Sequence, residues 1–145
     1  MIALSCDHGG YLLKEIVREY FIRMKIDFCD YGVYEELPTD YPLVVKSPCE
    51  DILNGKIEKG IFFCGTGIGV SIAANKHKGI RAACVTESYS AQLAREHNDA
   101  NVLCLGGRIL SGDYALSILE AFLNTPFSND ERHIKRIKMI AEIEK

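Results

Sequence analysis

The sequence has no run of apolar residues long enough to cross a bilayer, and nothing basic precedes the short apolar run of Met1-Ile2-Ala3-Leu4-Ser5-Cys6-Asp7. Those absences argue against a membrane protein and predict a cytoplasmic one. Charge of one sign is also scarce: 17 Lys and Arg against 20 Asp and Glu leave a net charge of −3, too small to call for a nucleic-acid partner. The six cysteines include no CxxC pair, so a compact zinc framework is not expected. Cys6, Cys29, Cys64, Cys84 and Cys104 instead lie in or at the ends of apolar, strand-like runs, where a free thiol behaves as a small hydrophobe in a reducing compartment. Neither GxGxxG nor GxxxxGK[ST] occurs. Although the acidic Asp30 stands at the end of the second strand candidate, the first turn reads Asp7-His8-Gly9-Gly10 and the later glycine loop is GxGxG, which argues against dinucleotide and P-loop sites. No linker, low-complexity segment or repeat interrupts the 145 residues, which form a single domain, 1–145.

What is present is an alternation of short apolar runs with longer amphipathic ones, the pattern of repeated βα units around a parallel sheet. The strand candidates are Ile2 to Cys6, Ile26 to Asp30, Gly60 to Cys64, Arg81 to Val85 and Val102 to Leu105, giving a five-stranded sheet. Leu12, Leu13, Ile16, Val17, Tyr20 and Phe21 recur at helical spacing, as do Ala91, Leu93 and Ala94, and later Ala115, Ile118, Leu119 and Phe122. Tyr41 to Leu53 reads as a helix opened by Thr39 or Asp40, with Pro42 in its first turn and Pro48 kinking or shortening it. The tail, Asn129 to Ile143, reads as a helix that docks by a stripe of Ile134, Ile137, Ile140 and Ala141.

Ligands of open α/β sheets bind beyond the carboxyl ends of the strands, and here those positions are polar. They hold Asp7-His8-Gly9-Gly10, Cys64-Gly65-Thr66-Gly67-Ile68-Gly69, Thr86-Glu87-Ser88 and Gly106-Gly107-Arg108. Cys64 stands where a strand ends and a glycine loop opens a helix. The helix dipole and unpaired amides there favour a thiolate, and the same amides can hold an oxyanion or a phosphate. A base beside an oxyanion hole suits proton abstraction next to a carbonyl; the competing reading is a buried structural thiol. His8 follows an Asp at a strand end. His97, with Asn98, lies in the turn before the fifth strand, from which a neighbouring subunit can present it. Arg132 and Arg136 share a helix face and can grip one phosphate, or equally form a solvated basic face; Arg108 favours the anion site if the tail folds over the rim.

These motifs, with Thr39-Asp40-Tyr41-Pro42, Ser71-Ile72-Ala73-Ala74-Asn75-Lys76, Gly79-Ile80-Arg81-Ala82, Tyr89-Ser90-Ala91, His97-Asn98-Asp99-Ala100-Asn101-Val102 and Arg132-His133, resemble the ribose/galactose isomerase family from end to end. The resemblance implies a Rossmann-like three-layer αβα sandwich and a homodimer or dimer of dimers, with neither metal nor organic cofactor. It implies interconversion of ribose 5-phosphate and ribulose 5-phosphate through an enediolate, with Cys64 as proton acceptor and His97 opening the furanose ring. Gly65, Thr66, Gly67, Ile68 and Gly69 would hold the oxyanion through their amides, Asp7 and Tyr41 the sugar hydroxyls and ring oxygen, and Asn98 a hydroxyl. His8, Arg108, Arg132 and Arg136 would bind the phosphate. Glu131 replaces a glycine common in the family. Allose 6-phosphate, galactose 6-phosphate and a tetrulose phosphate are alternative substrates, and a non-catalytic sugar-phosphate sensor is the rival from a different class.

Overall fold

The computed structural model describes residues 1–145. Five strands, β1 (Ile2–Cys6), β2 (Phe28–Asp30), β3 (Lys59–Cys64), β4 (Ala82–Cys84) and β5 (Val102–Gly106), form one all-parallel sheet in the order β2-β1-β3-β5-β4. The chain leaves β1 outward to β2, then returns to β3 on the other side of β1. That reversal opens a crevice between the carboxyl ends of β1 and β3, where Cys6 pairs in register with Phe63.

Alternation along the central strands sends neighbouring side chains to opposite faces. Ile61 and Phe63 join Leu4, Leu103 and Leu105 against α1 (Tyr11–Met24), α5 (Ser88–Asn98) and α6 (Gly112–Asn124), through Val17, Phe21, Ala91, Ile118, Leu119 and Phe122. Phe62 and Cys64 join Ala3, Val102 and Cys104 on the other face, against α3 (Lys46–Leu53) and α4 (Ile68–Asn75), through Cys49, Ile52, Val70 and Ala74. The result is the expected three-layer αβα sandwich.

The edge strands are shorter than their apolar runs. Lys25 takes a left-handed conformation (φ 55°) that closes α1, and the amides of Lys25 and Ile26 bond back to Ile22 and Phe21, so β2 begins only at Phe28. At the opposite edge Arg81 and Val85 lie outside β4, where the side chain of Asn75 takes both outward-facing groups of Ala82, accepting at 2.8 Å and donating at 3.0 Å.

Tyr41 to Leu53 is two helices, α2 (Tyr41–Val44) and α3, rather than one. Pro48 lacks the amide that would bond the Val44 carbonyl one turn back, and that carbonyl accepts from Ser5 Oγ at 2.6 Å instead. Asp40 occupies the N-cap of α2 without a side-chain bond to it, and the Thr39 hydroxyl turns back to Leu37.

The tail forms α7 (Glu131–Ile143), held at both ends. Near its start His133 is buried, and beyond its end the Glu144 carboxylate accepts from the Gly79 amide at 3.0 and 3.2 Å. Its apolar stripe docks only in part: Ile134 and Ile137 are half-buried, whereas Ile140 and Ile143 stay exposed.

Candidate active site

At the carboxyl edge, β1 runs into Asp7, which is 6 % exposed and accepts from the Gly10 amide at 3.1 Å through one carboxylate oxygen. The turn fits only because residue 10 is glycine: a Cβ there would stand 2.5 Å from the Phe63 carbonyl carbon. His8 follows, and its Nδ1 accepts from the Thr39 amide at 3.1 Å. Tyr41 opens α2 with its ring against Gly69, where a Cβ would lie 3.0 Å from two ring carbons.

Cys64 ends β3, is 4 % exposed, and its sulfur accepts from the Gly67 amide at 3.1 Å. Gly67 reaches this geometry with φ +79°, and a Cβ there would lie 2.9 Å from the Leu105 carbonyl carbon. The Ile68 amide is capped by the Thr66 hydroxyl at 3.1 Å. Within the chain, the amides of Gly65, Thr66, Gly69 and Val70 have no acceptor, so four donors of the glycine loop and the first turn of α4 remain for a bound oxygen. Arg108 lies on the same edge. Its amide donates to the Gly65 carbonyl at 2.9 Å, and its Nη1 would be 2.9 Å from a Cβ on Gly65.

Burial pushes the thiols of Cys6 and Cys49 up to about 12, and raises Cys84 and Cys104 as well. Cys64 is set apart from them by the amide aimed at its sulfur. Glu87, another rim residue, has both carboxylate oxygens bonded to amides of Tyr89 and Ser90, as the cap of α5.

The remaining predicted residues do not reach this rim. α5 leaves the carboxyl edge after β4 and returns to the amino edge before β5, so His97 and Asn98 stand at the opposite end of the sheet. Eleven residues of helix separate the two edges by about 16 Å. The tail joins His97 there rather than folding over the rim of its own chain. The His97 and His133 rings stack with centroids 4.4 Å apart and planes 33° apart, and the Ser128 hydroxyl lies 2.7 Å from His133 Nδ1. Burial and the neighbouring His97 and Arg132 hold the His133 imidazole below the usual histidine range. Arg132 and Arg136 project from the same end, exposed. Glu131 is exposed in the first turn of α7, where a negative charge suits the helix dipole.

The chain thus carries two unlike clusters. Asp7, His8, Tyr41, Cys64, the Gly65–Gly69 loop and Arg108 share one edge; His97, Asn98, Arg132 and Arg136 share the other. His133 stood in the sequence motif without a role, and the Thr39 amide gave no sequence signal, since a backbone donor is invisible in residue identity.

Residues 2–140 match the model of the Ribose/Galactose Isomerase family. The chain belongs to that family. It is 40 % identical over 143 residues to ribose-5-phosphate isomerase B of Escherichia coli K12, covering 99 % of this chain and 95 % of that protein. The solved structure of ribose-5-phosphate isomerase B from Clostridium thermocellum superposes with a TM-score of 0.96 at 43 % identity, covering 99 % of this chain and 96 % of the other. A 4-deoxy-4-sulfo-D-erythrose isomerase from a Clostridium species is 35 % identical, covering 89 % of this chain and 82 % of that relative. This family member is a sugar-phosphate aldose–ketose isomerase with an α/β, Rossmann-like fold. No helix is long and apolar enough to cross a membrane.

Proposed function

We propose that this isomerase interconverts ribose 5-phosphate and ribulose 5-phosphate through an enediolate, in a site completed by a second copy of the chain. The observation that carries the reading is the Cys64 sulfur, which accepts an amide hydrogen bond beside four unpaired amides on the carboxyl edge. An amide donor favours negative charge on sulfur, so Cys64 takes the proton from C2 of the aldose and returns it to C1. The charge that develops on the sugar oxygen meets the amides of Gly65, Thr66 and Gly69, while the Gly67 and Ile68 amides hold the sulfur and the Thr66 hydroxyl. Removing one such donor from an oxyanion site typically costs about 3 kcal/mol of transition-state stabilisation. Asp7, through the oxygen not bonded to Gly10, and Tyr41 take the sugar hydroxyls.

A second copy supplies the rest. Its His97 acts as the acid that opens the furanose ring, its Asn98 takes a hydroxyl, and its Arg132 and Arg136 close on the phosphate opposite His8 and Arg108. Exposed Leu43, Ile68 and Ile72 beside the rim, and exposed Ile140 and Ile143 on α7, give this contact apolar surface to cover.

The test is turnover on four-, five- and six-carbon sugar phosphates together with 4-deoxy-4-sulfoerythrose, the substrate named for one relative. The highest kcat/KM is expected for ribose 5-phosphate. A higher value for another member reassigns the substrate, and no isomerisation of any member revives the sensor reading.

A further inference from the structure

One polar contact on the rim constrains chemistry that residue identity leaves open. The Thr39 amide donates to His8 Nδ1 at 3.1 Å. An amide can only donate, so Nδ1 is the bare, accepting nitrogen, and the proton of the neutral ring sits on Nε2. His8 therefore offers a donor at its remaining nitrogen.

Thr39 lies near the far end of a segment, residues 31–40, that joins β2 to α2. Its near end is fixed from beneath by Lys14, which is fully buried although it carries a charge. Lys14 Nζ donates to both Asp30 oxygens at 2.9 Å and to the Val33 carbonyl at 2.8 Å, with the rings of Tyr11 and Tyr34 at 5.6 and 5.4 Å. Asp30 also accepts from the Gly32 amide at 2.8 Å. Gly32 and Val33 exchange backbone bonds with Cys6 at 2.7 and 3.0 Å, so the same segment is stitched to the strand that leads into Asp7 and His8. A buried ion pair is rarely more stabilising than apolar residues of the same volume. What this one achieves is location: it fixes the base of the segment relative to the end of β1.

We propose that residues 31–40 form a positioning strap for His8. Lys14 anchors the base and the Thr39 amide selects the tautomer, so that His8 meets the anionic end of the substrate through Nε2–H. The ring cannot turn a lone pair towards the anion while Thr39 holds it. Lys14 and Thr39 are positioning residues acting through His8, and the inference rests on the reading above that His8 contacts the phosphate.

The experiment combines nitrogen NMR of histidine-labelled protein with inhibition by inorganic phosphate. His8 in the native protein is expected as the Nε2–H tautomer. Thr39→Pro deletes the amide donor without touching the core; it should give mixed tautomers at His8 and raise the phosphate inhibition constant about fivefold or more. Lys14→Met combined with Asp30→Leu, which leaves no buried carboxylate unpaired, should act in the same direction. In a His8→Ala background Thr39→Pro should add nothing, because both changes act through one group. An Nδ1–H tautomer in the native protein overturns the proposal, as does an additive effect of Thr39→Pro in that background. If His8→Ala weakens phosphate inhibition and Thr39→Pro does not, the strap falls and the phosphate reading stands. Phosphate inhibition unchanged in His8→Ala takes down both.

Discussion

Equal amounts of Cys64→Ala and His97→Ala chains, unfolded together and refolded, report directly on how the site is divided. Cys64 closes β3 at the carboxyl edge, whereas His97 stands at the opposite edge, near the end of the eleven-residue α5, a helix about 16 Å long. If the site is shared between chains as proposed, each parent dimer has two sites that each lack one residue. Random re-pairing makes half of the dimers mixed, and in a mixed dimer one site carries both lesions and the other carries none. One intact site in two, across half of the dimers, returns about a quarter of wild-type activity from two inactive parents. The assay is the initial rate of ketose formation, with subunit exchange verified by mass spectrometry. Arg108→Ala sharpens it: the guanidinium lies over Gly65 of the chain that carries Cys64, so this variant should complement His97→Ala and fail to complement Cys64→Ala. A verified mixture as inactive as its parents would refute the division of the site between chains.

Iodoacetamide should modify Cys64 before the buried cysteines, with ribose 5-phosphate slowing the reaction, because burial raises the thiols of Cys6, Cys49, Cys84 and Cys104; peptide mapping that finds Cys84 or Cys104 labelled first contradicts this. Arg136→Ala should weaken substrate binding by about 1.5 to 3 kcal/mol, the range for a hydrogen bond to a charged group, and relieve phosphate inhibition. An unchanged KM would take α7 out of the site. Stability should decline in alkali: folded Cys49 keeps its proton up to about 12 whereas the unfolded thiol loses it above about 8.5, so its contribution is complete at neutral pH and is lost as pH rises between those values. The slope approaches about 1.4 kcal/mol per pH unit, and Cys49→Ala should flatten urea-melt stability measured from pH 8 to 11 by comparison with wild type; equal slopes would be inconsistent with a buried, protonated thiol.

The sheet was legible in the sequence because β1, β3 and β5 are apolar apart from Ser5 and the leading Lys59, as strands covered on both faces must nearly be. The edges were less so. Ile26 is apolar enough to extend β2, but the turn that closes α1 uses Lys25 where a glycine would have announced it. The break in Tyr41 to Leu53 was half-legible: Pro48 gave the cause, yet its effect falls one turn earlier, at Val44. In the site, every residue placed just after a strand reached the carboxyl edge, since connectivity alone dictates that. The position of α7 could not be read in the same way. An apolar stripe says that a helix docks without saying where, and the contact that settles it is the pairing of His133 with His97, two polar residues outside any hydrophobic pattern.

Asn75 gives the sheet an end. By taking both outward-facing backbone groups of Ala82, it stands in for a sixth strand along the exposed side of β4. Only three residues of backbone line that side, and only three line the opposite one at β2, so neither margin offers a ladder on which another polypeptide can be laid down. Any association between copies would fall to side chains on the helices, whose shapes are selective, rather than to the main chain, which pairs with almost anything. If the proposed pairing of copies holds, those short margins also keep it from running on into a fibre.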